Sequence, residues 1–180
     1  MSQQLIAFLR AINVGGHTVK MDRLRELFVV MGFADVETFI ASGNVIFTTP
    51  DTDLPSLEQK IESTLREALG YEVATFIRTP AELTEIVRYE PFAAADRQAE
   101  GHGLYVAFVK VDPAPAAETR LQGFTTEIDA FQVRGREIYW LCRKKSSEST
   151  FSGAILEKTL GQAATMRNIT TLKKLAAQYG

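Results

Sequence analysis

The sequence predicts an α+β fold made of two halves with one element order, β-α-β-β-α-β-α, and three observations carry that prediction. Runs rich in β-branched and aromatic residues interleave with segments whose apolar residues recur every three and four positions, which marks alternating strands and amphipathic helices. The order of these elements restarts after residue 103. The end of one half also aligns with the end of the other: ALGYEVATFIRTPAELTEI lies over TLGQAATMRNITTLKKL with a two-residue gap. Leu69-Gly70 then meets Leu160-Gly161, Arg78 meets Arg167, Leu83 meets Leu172 and Ile86 meets Leu175.

Residues 5–12 form an apolar run that reads as a strand, and Val14 to Thr18 is a loop of turn formers. Leu24, Leu27, Phe28 and Met31 then fall at helical spacing, with Asp22 near the start and Gly32 just past the end. VETFIA and NVIFTT are two β-rich runs joined at Ser42-Gly43, a hairpin whose glycine can take positive φ. Leu57, Ile61, Leu65 and Leu69 mark a second helix ended by Gly70; EVATFIR is a fourth strand and AELTEIV a third helix. In the second half LYVAFVKV is a strand, PAAETRLQGF a helix, EIDAFQV and EIYWLC a strand pair around Gly135, FSGAILEKTLG a helix, AATMR a short strand and NITTLKKLAAQ the last helix.

The pattern β-α-β-β-α-β is the split βαβ, or ferredoxin-like, arrangement. The expected architecture is therefore a tandem duplication of two ferredoxin-like halves, each with an additional helix. Their boundaries are 1–92 and 103–180, with 93–102 as a linker.

Composition bounds the class. The 180 residues are 46% hydrophobic and 23% charged, an ordinary globular balance. No stretch reaches the roughly 18 uninterrupted apolar residues of a membrane helix, and no basic-then-apolar leader opens the chain, so a cytoplasmic chain without a membrane partner is expected. One cysteine, Cys142, cannot make an internal disulfide, and two histidines are too few for a usual zinc site, so no metal and no cofactor are expected. The net charge of −2 is unevenly spread: residues 1–133 hold 11 Lys/Arg against 19 Asp/Glu, and residues 134–180 hold 9 against 3. An anionic partner on the C-terminal part is one reading of this split; a solvated basic surface is the other.

Two polar clusters are candidate sites. In a plait the first strand ends beside the hairpin joining the second and third strands, which brings Arg10 and Asn13 toward Ser42, Gly43 and Asn44. With Gly15 and Gly16 these residues would supply a guanidinium, two amides, a hydroxyl and backbone N–H groups to an anion. Arg10 is expected on a strand face with Phe8 and Ile12, where it needs a carboxylate, carbonyls, solvent or a ligand. Local turn and cap bonding is the alternative use of the asparagines and Ser42, and a glycine pair before a helix can serve as a plain turn. The second cluster is Lys144, Lys145, Ser146, Ser149 and Arg167, with Asn168 placed to cap the last helix and Ser149 or Ser152 the one before it. Ordinary caps on a basic loop would produce the same pattern. Cys142 reads as a buried thiol, His17 as an exposed loop residue, His102 as linker, and Glu127 and Asp129 as a wet strand face.

FLRAINVGG, VKMDRLRELFVVMGFADVETFIASGNVIF and ATMRNITTLKKLA closely resemble the bacterial family of domain of unknown function 1697. The resemblance covers almost the whole chain. It implies an α+β fold of two ferredoxin-like halves and no established biochemical activity. It carries motif positions onto Arg10, Asn13, Gly15, Gly16, Ser42, Gly43, Asn44, Arg167, Asn168 and Thr171. The family pattern has glycine where this chain has Ala11, and asparagine where it has Thr170.

Three functions fit these features. One is a binding protein for a small anionic, phosphorylated or nucleotide-like ligand held in a polar cleft between the halves. Another is a hydrolase or transferase acting on such a ligand, with His17 as the nearest proton-transfer group. The third is a nucleic-acid or protein interaction module using the basic C-terminal stretch, which the acidic overall charge disfavours.

Overall fold

A computed structural model describes residues 1–180. The elements are β1 (Gln3–Leu9), α1 (Met21–Val30), β2 (Ala34–Thr38), β3 (Asn44–Thr49), α2 (Leu54–Leu69), β4 (Thr75–Arg78), α3 (Pro80–Arg88), α4 (Ala94–Arg97), β5 (Gly103–Phe108), α5 (Pro115–Gln122), β6 (Asp129–Arg134), β7 (Glu137–Cys142), α6 (Gly153–Leu160), β8 (Thr165–Asn168) and α7 (Ile169–Tyr179), with a 3-10 turn at Ser146–Glu148. The chain separates into two compact units, Met1–Leu83 and Thr84–Tyr179, and α3 straddles the division. Residues 93–102 are ordered in the second unit: they carry α4, and Asp96 is gripped by Arg143 at 2.6 Å.

Each unit holds one four-stranded antiparallel sheet, in the orders β2-β3-β1-β4 and β6-β7-β5-β8. The registers match as well. Ile6 lies opposite Ile46 and Arg78 in the first sheet, and Val106 lies opposite Tyr139 and Arg167 in the second. Each central strand pair is thus flanked by a short edge strand bearing an arginine at the same level.

Local sequence explains the elements. Leu5 through Leu9 are all buried, so β1 is apolar on both faces and shows no alternation. Leu57, Ile61 and Leu65 of α2 recur every four residues and join Leu5, Ala7, Leu9, Val45 and Phe47 in the first core. Asp53 caps α2 by accepting the Ser56 amide at 3.3 Å, and Gly70 closes the helix at φ 82. Gly161 closes α6 in the same left-handed conformation. Along β4, Glu62 accepts the Thr75 N–H and Glu58 the Ile77 N–H, both at 2.9 Å. Two carboxylates one helical turn apart thereby satisfy donors of an edge strand.

Two strand boundaries differ from expectation for a backbone reason. β1 ends at Leu9, because Ala11 and Asn13 take φ 62 and 56, so Arg10 does not share a strand face with Phe8 and Ile12. β2 ends at Thr38, because Ile40 takes φ 52, and a register shift between Ala34 and Glu37 coincides with Asp35 at φ 48.

Candidate functional site

The end of β1 and the β2–β3 turn form a polar rim in the first unit. The chain leaves the sheet gradually: the Arg10 N–H still donates to Ala74 at 2.9 Å, and the Leu9 N–H donates to the Gly43 carbonyl at 2.8 Å. Asn13 then fastens the loop at both ends. Its Nδ2 donates to the Ala41 carbonyl at 2.8 Å, and its Oδ1 accepts the Val19 N–H at 2.7 Å. Asparagine suits this position because its short amide bonds locally and tolerates the left-handed region. Asn13 thereby reaches Ala41, the residue before the Ser42–Asn44 turn.

On the other side of the rim Asn44 is fully buried, with its amide donating to Phe39 carbonyl and Ser42 Oγ, each at 3.0 Å. It shapes the turn from within. Gly43, at φ 79, packs so closely on Ile12 and Leu9 that a Cβ there would lie 2.9 Å from the Ile12 Cβ. Gly15 and Gly16, at φ 59 and 85, stand in open space on the exposed tip. His17 follows them and stacks on Tyr71 with ring centroids 3.7 Å apart. The Tyr71 hydroxyl donates to the Ala11 carbonyl at 3.3 Å, and partial burial pushes its pKa above the ordinary phenol value. Arg10 is half-buried and Ser42 likewise, so both border the solvent at this rim.

The structure distributes the C-terminal candidates differently. Lys144 is exposed. Arg167 is buried, and its Nη1 turns back along its own strand to Thr165 Oγ1 at 2.7 Å and the Met166 carbonyl at 2.9 Å; burial pulls its guanidinium down to about 10. Its counterpart Arg78, fully buried, makes the same contact to the Ile77 carbonyl at 2.9 Å. Asn168 caps α7 by accepting the Thr170 N–H at 2.8 Å, and Ser152 caps α6. Ser149 instead donates to Asp129 at 2.7 Å.

Asp129 itself corrects the wet-face reading of its strand. It is buried, and its carboxylate accepts Trp140 Nε1 at 2.8 Å as well as the Ser149 hydroxyl. Alternation alone could not reveal it, because the tryptophan that satisfies the charge lies eleven residues away on β7. Burial pushes the Cys142 thiol up, as suits an inert core residue. Tyr71 also escaped sequence reasoning, since only the fold returns it to residue 11. No group of three or more His, Cys, Asp or Glu side chains is assembled to hold a metal, and no helix is long and apolar enough to cross a membrane.

Comparison with solved structures finds the conserved bacterial protein SP0830 from Streptococcus pneumoniae, 22% identical, covering 99% of each chain with a TM-score of 0.72. This likeness supports the mixed α+β fold with its two four-stranded antiparallel sheets and seven helices. Comparison with curated proteins finds no match. The model of a family described as a protein of unknown function (DUF1697) matches residues 2–139, well over half of the chain, and the protein belongs to that family.

Proposed function

We propose that the first unit binds a small phosphorylated or nucleotide-like ligand at the rim formed by residues 10–17 and 41–44. One observation carries this reading. Ala11, Asn13, Gly15, Gly16, Ile40 and Gly43 all adopt left-handed backbone within two short facing segments. Such conformations cost non-glycine residues about 1–3 kcal/mol each and persist only where the surroundings over-determine them, which is common at ligand sites. Here the Asn13 clamp, the buried Asn44 amide and the Tyr71 bond to Ala11 do the determining.

The division of labour follows from burial. Asn13, Gly43 and Asn44 position the backbone; Arg10, Ser42 and the exposed N–H groups of Gly15 and Gly16 face an anion. A thermal-shift panel of nucleotides and sugar phosphates tests the reading. A true ligand at about 100 times its dissociation constant stabilises the fold by roughly 2.7 kcal/mol. The shift should vanish in Arg10→Ala, and a panel without any shift would remove the proposal's support.

We further infer that the two units are duplicated ferredoxin-like plaits. Identical strand orders, matching registers, paired left-handed glycine caps at Gly70 and Gly161, and the buried Arg78 and Arg167 with the same backbone contact all support that origin.

A further inference from the structure

The second unit contains a polar cavity of about 220 Å³ that the rim reading leaves unused, bordered by Arg97, His102, Asn168, Thr170 and Lys173. No carboxylate lines it. Three basic side chains from separate segments converge on it: Arg97 from α4, His102 from the approach to β5, and Lys173 from α7; the carboxylates beside two of them, Glu90 on Arg97 and Asp96 on His102, lie outside the lining.

The histidine is held in a defined state. Its Nδ1 lies 2.6 Å from the Asp96 carbonyl oxygen, which can only accept, so Nδ1 carries a proton and donates it there. The Asp96 carboxylate stands 3.2 Å from the same nitrogen, and Arg143 grips that carboxylate through Nη2 at 2.6 Å and Nε at 2.9 Å. Arg143 thus matches the charge of Asp96 and braces the ring. Nε2 of His102 remains without a protein partner. Arg97 is oriented by Glu90 at 3.0 Å and by the Phe92 carbonyl at 2.8 Å. The exposed Lys173 ammonium makes neither an ion pair nor a hydrogen bond within the protein.

We propose that this cavity binds the phosphate group of a small ligand, with Lys173 donating to its oxygens, His102 Nε2 accepting from a P–OH group or, when the ring carries a second proton, donating to a phosphate oxygen, and the Glu90-paired Arg97 as a fixed neighbour. Size favours that chemistry, since pockets for whole drug-sized ligands run to about 300–1,000 Å³. A space of about 220 Å³ suits a phosphate with a short substituent or a few waters. Lysine serves as a point-charge phosphate binder, and a histidine pinned through Nδ1 directs its other nitrogen without loss of rotamer freedom. The His102–Asp96–Arg143 chain resembles the support given to ligating imidazoles elsewhere, in which a second carboxylate sets tautomer and orientation.

The test titrates inorganic phosphate into the full chain at constant ionic strength, balanced with sodium chloride and followed by ¹⁵N NMR. The proposal predicts saturable shifts at the amides of Gly103 and of Asn168 to Lys173. Lys173→Met, an exposed change, should weaken binding at least tenfold with no change in melting temperature, and His102→Gln should weaken it several-fold. Arg10→Ala should leave it unchanged, which separates this site from the rim. Unmoved amides in the wild type, or Lys173→Met and His102→Gln both binding within twofold of it, would overturn the proposal. So would a response lost in Arg10→Ala and retained in Lys173→Met.

Discussion

Replacing Gly43 by alanine separates backbone strain from packing at the rim. The residue sits at φ 79, and an added Cβ would lie 2.9 Å from Ile12 Cβ, 3.0 Å from Ile12 Cγ1 and 3.1 Å from Leu9 Cβ. Neither neighbour can yield easily, because Ile12 and Leu9 are 2% and 1% exposed. Left-handed backbone costs an L-residue about 1–2 kcal/mol, and overpacking a core adds about 1–3 kcal/mol, so Gly43→Ala should destabilise by roughly 2–5 kcal/mol. Gly15 and Gly16 also have positive φ but meet no atom within 4 Å. Their alanine variants should therefore lose only the conformational share, about 1–2 kcal/mol. Urea unfolding followed by far-ultraviolet circular dichroism compares the three directly. If Gly43→Ala unfolds at the same urea concentration as Gly15→Ala, the close packing of the turn against Ile12 is refuted.

Three further outcomes follow from individual contacts. Ala11→Gly relieves a non-glycine residue at φ 62 and should raise stability by about 0.5–1 kcal/mol in the same urea assay. Glu58→Ala removes the acceptor of the buried Ile77 N–H and should cost about 1–3 kcal/mol, whereas Glu→Ala at the exposed Glu67 should be near neutral. The Arg143 hydrogen bonds hold the Asp96 carboxyl below its ordinary value, so its contribution is present above about pH 4 and is lost as pH falls through the depressed value. Asp96→Asn should accordingly melt below wild type at neutral pH and converge with it in acid.

What the sequence made legible was mostly what periodicity and punctuation encode. Leu57, Ile61 and Leu65 announced a helix because burial recurs with the helical turn, and Gly70 announced its end, as Gly161 does for α6, because only glycine takes that cap without cost. The alignment of Arg78 with Arg167 was visible as spacing, and the structure adds that both are buried and bonded to the preceding carbonyl. Strand ends were less legible. Ile40 has strong β propensity yet stands exposed in left-handed backbone, because the Asn44 amide and the Asn13 bond to Ala41 fix the turn around it. Propensity reports a residue's preference and not the tertiary clamps that override it.

The rim was legible in part for the same reason. Asn13 and Gly43 could be brought near each other by topology alone, since the first strand of a plait ends beside the hairpin joining the second and third strands. Position 11 needs positive φ, which glycine takes freely, and Ala11 occupies it at a conformational cost. By contrast, Asp96, His102 and Arg143 lie up to 47 residues apart in pairwise contact, and no local spacing marks them as a chain. Residues 93–102 look like a linker by composition, being rich in alanine and ending in glycine and histidine, while the contact of Asp96 with Arg143, just past the end of β7, has no local signal in the sequence.

The measurement that bears most directly on the account is an ¹⁵N NMR titration of the full chain with the nucleotides and sugar phosphates of the thermal-shift panel. The account predicts saturable shifts centred on the amides of Arg10 to His17 and Ala41 to Asn44, reduced at least tenfold in affinity by Arg10→Ala. Amides of both segments that stay unmoved by every compound, at concentrations that shift residues elsewhere, would contradict it.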